Sequence, residues 1–289
     1  MIRIETRGAF VFATLDAPAS RNALTDAMVS GLSEAVAAAE SAPAVRALVI
    51  RGAAHTFCAG GDFSRFKALM AELAPTQGPD PIAGFNRSFG AMLERVSNAG
   101  IATIAVVEGA AMGGGVGLAA CCDFVLAAST AQFGMPEVTL GLPPAQIAPF
   151  VAARLGSGPA LRLMLTGRRI SAAQALGCGL ADEVLEPDAL EARVQAVLTE
   201  LGCAEPTALR ATKAILQRRF NEPLGATLDF AAAAFAAALR SGTAAQGLAA
   251  MAAKRPPPWV SVPPDDGAPA RPSLHGPSTQ RPSPHPPLR

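Results

Sequence analysis

Two glycine-centred turns and one glutamate supply groups that can hold an anionic oxygen and move a proton. The first turn is Phe57-Cys58-Ala59-Gly60-Gly61-Asp62-Phe63, after the apolar run Ala47 to Ile50. The second is Gly113-Gly114-Gly115-Val116-Gly117-Leu118, after Ile104 to Val107. Each exposes backbone N–H groups at a strand-to-helix junction, where the helix start adds positive potential, so donors from the two turns can converge on one anionic oxygen. Plain close packing is the alternative for either turn alone. No G-K-[ST] follows, and Leu118 stands where a dinucleotide fingerprint wants glycine, so phosphate cradling of either known pattern is disfavoured.

The glutamate lies in Ala131-Gln132-Phe133-Gly134-Met135-Pro136-Glu137, followed by Leu140-Gly141-Leu142-Pro143-Pro144-Ala145-Gln146. A carboxylate in so apolar a stretch has its charged form disfavoured, which raises its proton affinity towards the range of a general acid or base. A helix-capping or surface glutamate is the other possibility. Of the three histidines, His275 and His285 lie near the C-terminus, so His55 alone is left for a folded core. A Ser-His-Asp triad or a multi-histidine metal site is therefore disfavoured, no metal is expected, and His55 reads as a surface loop residue.

The elements that must position these groups follow from pattern. Half of the 289 residues are apolar and 16% are charged, enough for one large core with a helical appendage. Apolar runs alternate with helical patterns: Phe10 to Leu15 then Asp26 to Glu40, Ala47 to Arg51 then Phe63 to Leu73, and Ile101 to Glu108 then Gly115 to Cys122 and Phe124 to Ala128. This predicts an α/β core, with a single first strand in Met1 to Ala13. From Asp188 onward the pattern is helical only, and the alanine-rich stretch Ala231 to Arg240 predicts a thin helix for close packing, within the core or against another subunit. The stretch Met70 to Asn86, expected to shape a pocket, has no readable pattern. Twelve of the 25 prolines fall between Pro256 and Arg289, so Val260 to Arg289 is expected to be disordered.

The totals also exclude partners. A net charge of +1 with scattered Lys and Arg provides no stripe for nucleic acid. Ile101 to Cys122 is long and apolar enough to cross a bilayer, but its five glycines favour a strand, a turn and a helix start over a membrane span. Five cysteines without a C-x-x-C pair read as reduced thiols packed as small hydrophobes, and with no signal-peptide order at the start the expected location is cytoplasmic.

Taken together, Arg21-Asn22-Ala23-Leu24, Phe57 to Asp62, Val107 to Gly115, Cys122-Asp123, Phe133 to Leu142, Leu165-Thr166-Gly167, Ala172-Ala175-Gly179-Leu180 and Lys254-Arg255-Pro256 with Trp259 resemble the crotonase (enoyl-CoA hydratase/isomerase) superfamily from about Ile4 to Trp259. The resemblance implies a spiral of ββα units over residues 1–190, a C-terminal helical oligomerisation region over 191–258, and a homotrimer or dimer of trimers, with 259–289 left as the proline-rich tail. It implies an oxyanion hole made by the N–H groups of Gly61 and Gly114, with Glu137 as the catalytic carboxylate. It places coenzyme A, as part of an acyl-CoA substrate and not as a bound cofactor, near Arg21 and the Cys58-Ala59 backbone, with Lys254 as a phosphate contact from its own or a neighbouring subunit. Arg21 and Lys254 as solvated surface charges are the alternative, and Asp62 and Asp123 are expected to cap helix starts.

Common hydratases of this superfamily carry a second glutamate where this chain has Gly117. Gly113 to Leu118 combined with Glu137 to Val151 resembles the subgroup acting on methylglutaconyl-CoA and isohexenylglutaconyl-CoA, so hydration of such a thioester is the expected reaction. Gln146, or the substrate's distal carboxylate, is then the expected anchor for water in a pocket bordered by Gly117. A Δ3,Δ2-enoyl-CoA isomerase using one glutamate, or a thioester-binding protein without catalysis, are the other readings.

Overall fold

The computed structural model describes residues 1–71, 78 and 80–263. The chain opens with a hairpin, β1 (Ile2–Arg7) and β2 (Phe10–Leu15), where one strand was expected. The α1 helix (Asp26–Ser41), capped by Thr25, leads to β3 (Ala47–Gly52) and then α2 (Phe63–Met70). Next comes α3 (Pro81–Ser97), within and beyond the stretch that lacked a readable pattern; residues 72–77 and 79 of that stretch lie outside the described ones. Then follow β4 (Ala102–Val107), β5 (Ala110–Met112), α4 (Gly114–Ala120), β6 (Phe124–Ala128) and β7 (Gln132–Gly134). The core finishes with α5 (Ala148–Leu155), α6 (Ser157–Thr166), β8 (Arg169–Ser171), α7 (Ala172–Gly177) and β9 (Glu183–Leu185). Four helices close the chain: α8 (Pro187–Gly202), α9 (Pro206–Asn221), α10 (Leu224–Arg240) and α11 (Thr243–Ala252).

The main sheet runs β1-β2-β3-β4-β6-β9, antiparallel only between β1 and β2. Its central strands are apolar at nearly every position because both faces are covered. Leu48, Ile50, Ala105, Val107 and Val125 face the larger cluster with α1, α3 and α4; Phe10, Phe12, Val49, Ile104 and Leu126 face Leu190, Val194 and Leu198 of α8.

A second ladder is built from the shorter strand of each ββα unit. Isolated bridges pair Leu24 with Gly61 and Cys58 with Ala111, both parallel; β5 pairs in parallel with β7, and β7 antiparallel with β8. Long strand, short strand, helix: this repeat is the ββα spiral, followed by the C-terminal helices.

Those helices are fastened by side chains reaching backbone carbonyls. Along one face of α9, Arg210 donates to the carbonyls of Ala42 (3.1 Å) and Val45 (3.3 Å), Lys213 to that of Ile101 (2.8 Å), and Gln217 to that of Ser97 (2.9 Å). Ala42 and Ser97 sit at the ends of α1 and α3, where helical carbonyls lack internal partners. Asp123 is not a helix cap: it follows α4, and its carboxylate accepts from Thr103 N–H (2.7 Å), Thr103 Oγ1 (3.0 Å) and Lys213 Nζ (2.6 Å). Asp62 does cap α2, accepting from Ser64 N–H.

Buried Arg46 donates to the carbonyls of Ala44, Ala204 and Trp259, and the Trp259 indole donates to the Cys203 carbonyl. Ser261 N–H reaches the Gly202 carbonyl at 3.0 Å, so order extends past Val260, where the tail was expected to be free; residues 264–289 of that tail lie outside the described ones. Cys58, Cys121 and Cys122 pack as small hydrophobes, but Cys203 is exposed and Cys178 only half-buried. Among the described residues no helix is long and apolar enough to cross a membrane.

Replacing Lys213 with Met removes a charged donor shared by Asp123 and a strand-start carbonyl. We expect a loss of about 2 kcal/mol in denaturant unfolding, with faster amide exchange in α9 than in α1; unchanged exchange in α9 would contradict this account of its docking.

Candidate functional site

The short-strand ladder determines where the chemical groups meet. Its parallel bridges make the chain leave Cys58, Met112 and Gly134 on the same side, so Gly60-Gly61, Gly113-Gly114 and Pro136-Glu137 emerge as neighbours. Gly113 N–H donates to the Gly134 carbonyl at 2.8 Å and Leu24 N–H to that of Gly60 at 2.8 Å, which fixes both turns against the ladder.

Both turns need glycine just before the proposed donor. Gly60 has φ +98° and Gly113 φ +50°, the region that side chains on L-residues disfavour. Space is short as well: a Cβ on Gly60 would lie 2.9 Å from the Met112 carbonyl oxygen, and one on Gly113 would lie 2.5 Å from Glu137 Oε1. A Cβ on Gly60 would also lie 3.8 Å from Gly114 N, so the two turns are close neighbours. Neither Gly61 N–H nor Gly114 N–H donates a hydrogen bond among the described residues.

Glu137 opens a short 3-10 turn, Glu137–Leu140, whose preceding Pro136 cannot extend β7. Its Oε1 lies against Gly113, and its Oε2 is shielded from solvent with no hydrogen-bond partner. Burial pushes the carboxyl above its ordinary value, opposed by a hydrogen bond from its own backbone N–H. This is the environment expected from the apolar sequence around it, and it fits a group that takes up and gives back a proton.

The side chains pressed on the two donor glycines are apolar. Leu24 and Phe89 press on Gly114, and Phe66 presses on Gly61. Phe66 stands edge-on to Phe85 at 6.3 Å, joining α2 to α3. Gly117, one turn along α4, faces Ile147: a Cβ there would lie 2.7 Å from Ile147 Cβ. Gln146 does not hang free beside that space; its amide donates to Asn86 Oδ1 at 2.9 Å, and its Cδ would meet a Cβ on Gly90 at 2.7 Å. Asn86, Phe89 and Ile147 were not singled out in the sequence. Asp80-Pro81, a cap and first-turn pair, followed by apolar residues at 85, 89, 92, 93 and 96 was the signal for α3.

The residues expected to meet coenzyme A are partly assembled. The Arg21 carbonyl accepts from Ala59 N–H at 2.9 Å, Cys58 N–H donates to the Ala110 carbonyl, and the Arg21 side chain is exposed. The segments are therefore adjacent, but the Cys58 and Ala59 N–H groups are already spent. Lys254 lies just past α11, exposed, and its side chain makes no hydrogen bond or ion pair among the described residues.

Elsewhere, a cleft of about 310 Å³ is lined by Arg7, Arg51, His55, Glu108 and Glu191 among others, and by none of the residues above. Its arginines, Arg3, Arg7 and Arg51, are matched by Glu5, Glu108 and Glu191, as in Arg51–Glu191 at 2.5 Å, leaving it without a net preference for an anion. Among the described residues no three His, Cys, Asp or Glu side chains gather to hold a metal ion.

Because the folded protein raises the Glu137 pKa above its unfolded value, keeping it ionised opposes folding, and that penalty is absent below the unfolded pKa and grows as pH rises through the folded one. Glu137→Gln should therefore melt higher than wild type at pH 8 and no higher at pH 4. A variant that loses stability more at pH 8 than at pH 4 would show the carboxylate to be a stabilising surface or capping group.

Comparison with known proteins gives the family. The family model described as enoyl-CoA hydratase/isomerase matches residues 5–262. A protein of Rhizobium meliloti named probable enoyl-CoA hydratase is 35% identical over 260 residues, covering 87% of this chain and 95% of its own. An enoyl-CoA hydratase/isomerase structure from Marinobacter aquaeolei superposes with a TM-score of 0.86 at 40% identity, and Pseudomonas aeruginosa AtuE with 0.85 at 42%; each covers 90% of this chain and 99% of its own. The chain belongs to the enoyl-CoA hydratase/isomerase family of the crotonase superfamily.

Proposed function

We propose that the protein adds water across the double bond of an α,β-unsaturated acyl-CoA thioester, with a branched glutaconyl-type chain as the substrate. The observation that carries the reading is the half-buried Glu137 carboxylate, pressed on Gly113 beside two backbone N–H groups, of Gly61 and Gly114, that have no acceptor among the described residues. The thioester oxygen accepts from both N–H groups. Glu137 takes a proton from water as the oxygen of that water bonds to the β-carbon, and the electron pair moves onto the thioester oxygen. Protonated Glu137 then delivers the proton to the α-carbon, which restores the carbonyl and the carboxylate. Each oxyanion donor in sites of this kind is worth about 3 kcal/mol, since it is aimed before the charge develops.

Coenzyme A would lie along the exposed Arg21 segment, and Lys254 would meet its phosphates from a neighbouring copy. An assembly of copies is supported by the exposed stripe Leu224, Leu228, Phe235 and Leu239 on α10 together with Phe220, which is 87% exposed. Free cysteines and the absence of any membrane-crossing helix among the described residues fit a reducing cytoplasm. One observation favours a second reading: Ile147 over Gly117 leaves a single carboxylate, which suffices to move a proton between two carbons and shift the double bond without water.

Purified protein should be given crotonyl, 3-enoyl, methylglutaconyl and isohexenylglutaconyl thioesters of coenzyme A in oxygen-18 water, with products read by mass. We expect label chiefly in the branched glutaconyl products and a loss of about 10²–10⁴-fold in Glu137→Gln with thioester binding kept. A mass-neutral double-bond shift would replace hydration by isomerisation; turnover undiminished in the variant would remove Glu137 from the chemistry.

A further inference from the structure

We propose that Ile147 is a specificity-determining residue, closing the room over Gly117 so that no second carboxylate shares the site with Glu137; the inference rests on the functional reading above. Gly114 and Gly117 are three apart and share a face of α4. Along that face the neighbours are Leu24 and Phe89 over Gly114, then Ile147 over Gly117. The missing side chain at 117 therefore does not leave a larger pocket, because its volume is filled from the other side.

Ile147 is also held in place. It is 3% exposed, and its carbonyl accepts from Val151 N–H at 3.0 Å, anchoring it to the start of α5. On its other side Gln146 is bonded to Asn86 and wedged on Gly90. A buried isoleucine offers water no hydrogen-bond partner, so water is held on the Glu137 side alone. Glycine at 117 and isoleucine at 147 then form one steric unit: a side chain at 117 requires a smaller residue at 147. That unit sets how readily the proton on Glu137 is spent on water addition against return to another carbon of the acyl chain.

The test compares wild type, Gly117→Glu, Ile147→Ala and the double variant by melting temperature and by the ratio of hydrated to double-bond-shifted product. Gly117→Glu alone should melt lower and lose at least tenfold in turnover, because its carboxylate collides with Ile147. Adding Ile147→Ala should recover most of the melting temperature and move the product ratio at least tenfold towards hydration relative to Ile147→Ala alone. Strictly additive changes in melting temperature, or an unchanged product ratio in a folded double variant, would overturn the proposal. A wild type that turns over no thioester defeats the functional reading and the claim on specificity with it, whereas the coupling in melting temperature still decides the steric pairing by itself.

Discussion

The parallel pairing of the short strands is the constraint on which the site depends. The Cys58–Ala111 bridge and the Ala110–Gln132, Ala111–Phe133 and Met112–Gly134 register place three chain exits side by side. A slip of one residue in β5 against β7 would turn every side chain to the other face and carry Gly113 away from Glu137. Main-chain hydrogen bonds hold this register, so the groups proposed to meet the substrate need no long side chains to reach each other. The central strands of the larger sheet, buried on both faces, supply the floor from which the short strands branch.

Around that register the protein assembles an environment of low polarity. Leu24 and Phe89 lie against Gly114, Phe66 against Gly61 and Ile147 against Gly117, and Glu137 Oε2 is shielded from solvent. The same exclusion has two consequences. It makes the ionised carboxylate less stable and therefore more basic, and in the proposed reaction it would strengthen the attraction between the N–H dipoles and negative charge on a thioester oxygen. Stability is given up at one residue so that proton affinity is gained there, a trade that buried catalytic groups make repeatedly.

Much of this was legible in the sequence because the carriers are local. The glycine turns at 57–63 and 113–118 and the apolar stretch before Glu137 name the groups, and the strand runs at 10–15, 47–51, 101–108 and 124–128 name four of the six strands of the main sheet. What was hidden is what depends on distant pairing. The three-residue strands β5, β7 and β8 are too short to show a period, and the filling of Gly117's space by Ile147 is a contact across 30 positions. The hairpin at the start merged into one strand because β1 and β2 are separated by only two residues. Asp123 was misread because a cap and a cross-element acceptor have the same residue type, and only Lys213, 90 residues later, tells them apart. Val260 and Ser261 escaped the composition argument since backbone bonds to Gly202 and the Arg46 and Trp259 network hold them, and proline count does not see those.

The claim that most of this rests on is that Gly61 and Gly114 polarise a thioester carbonyl beside Glu137. Isotope-edited infrared spectroscopy of a saturated acyl-CoA carrying carbon-13 at the thioester carbonyl measures it directly. The carbonyl stretch should fall in frequency on binding to the wild type and fall equally on binding to Glu137→Gln, whose backbone donors are intact. A bound thioester whose carbonyl stretch stays at its value in water would contradict the account.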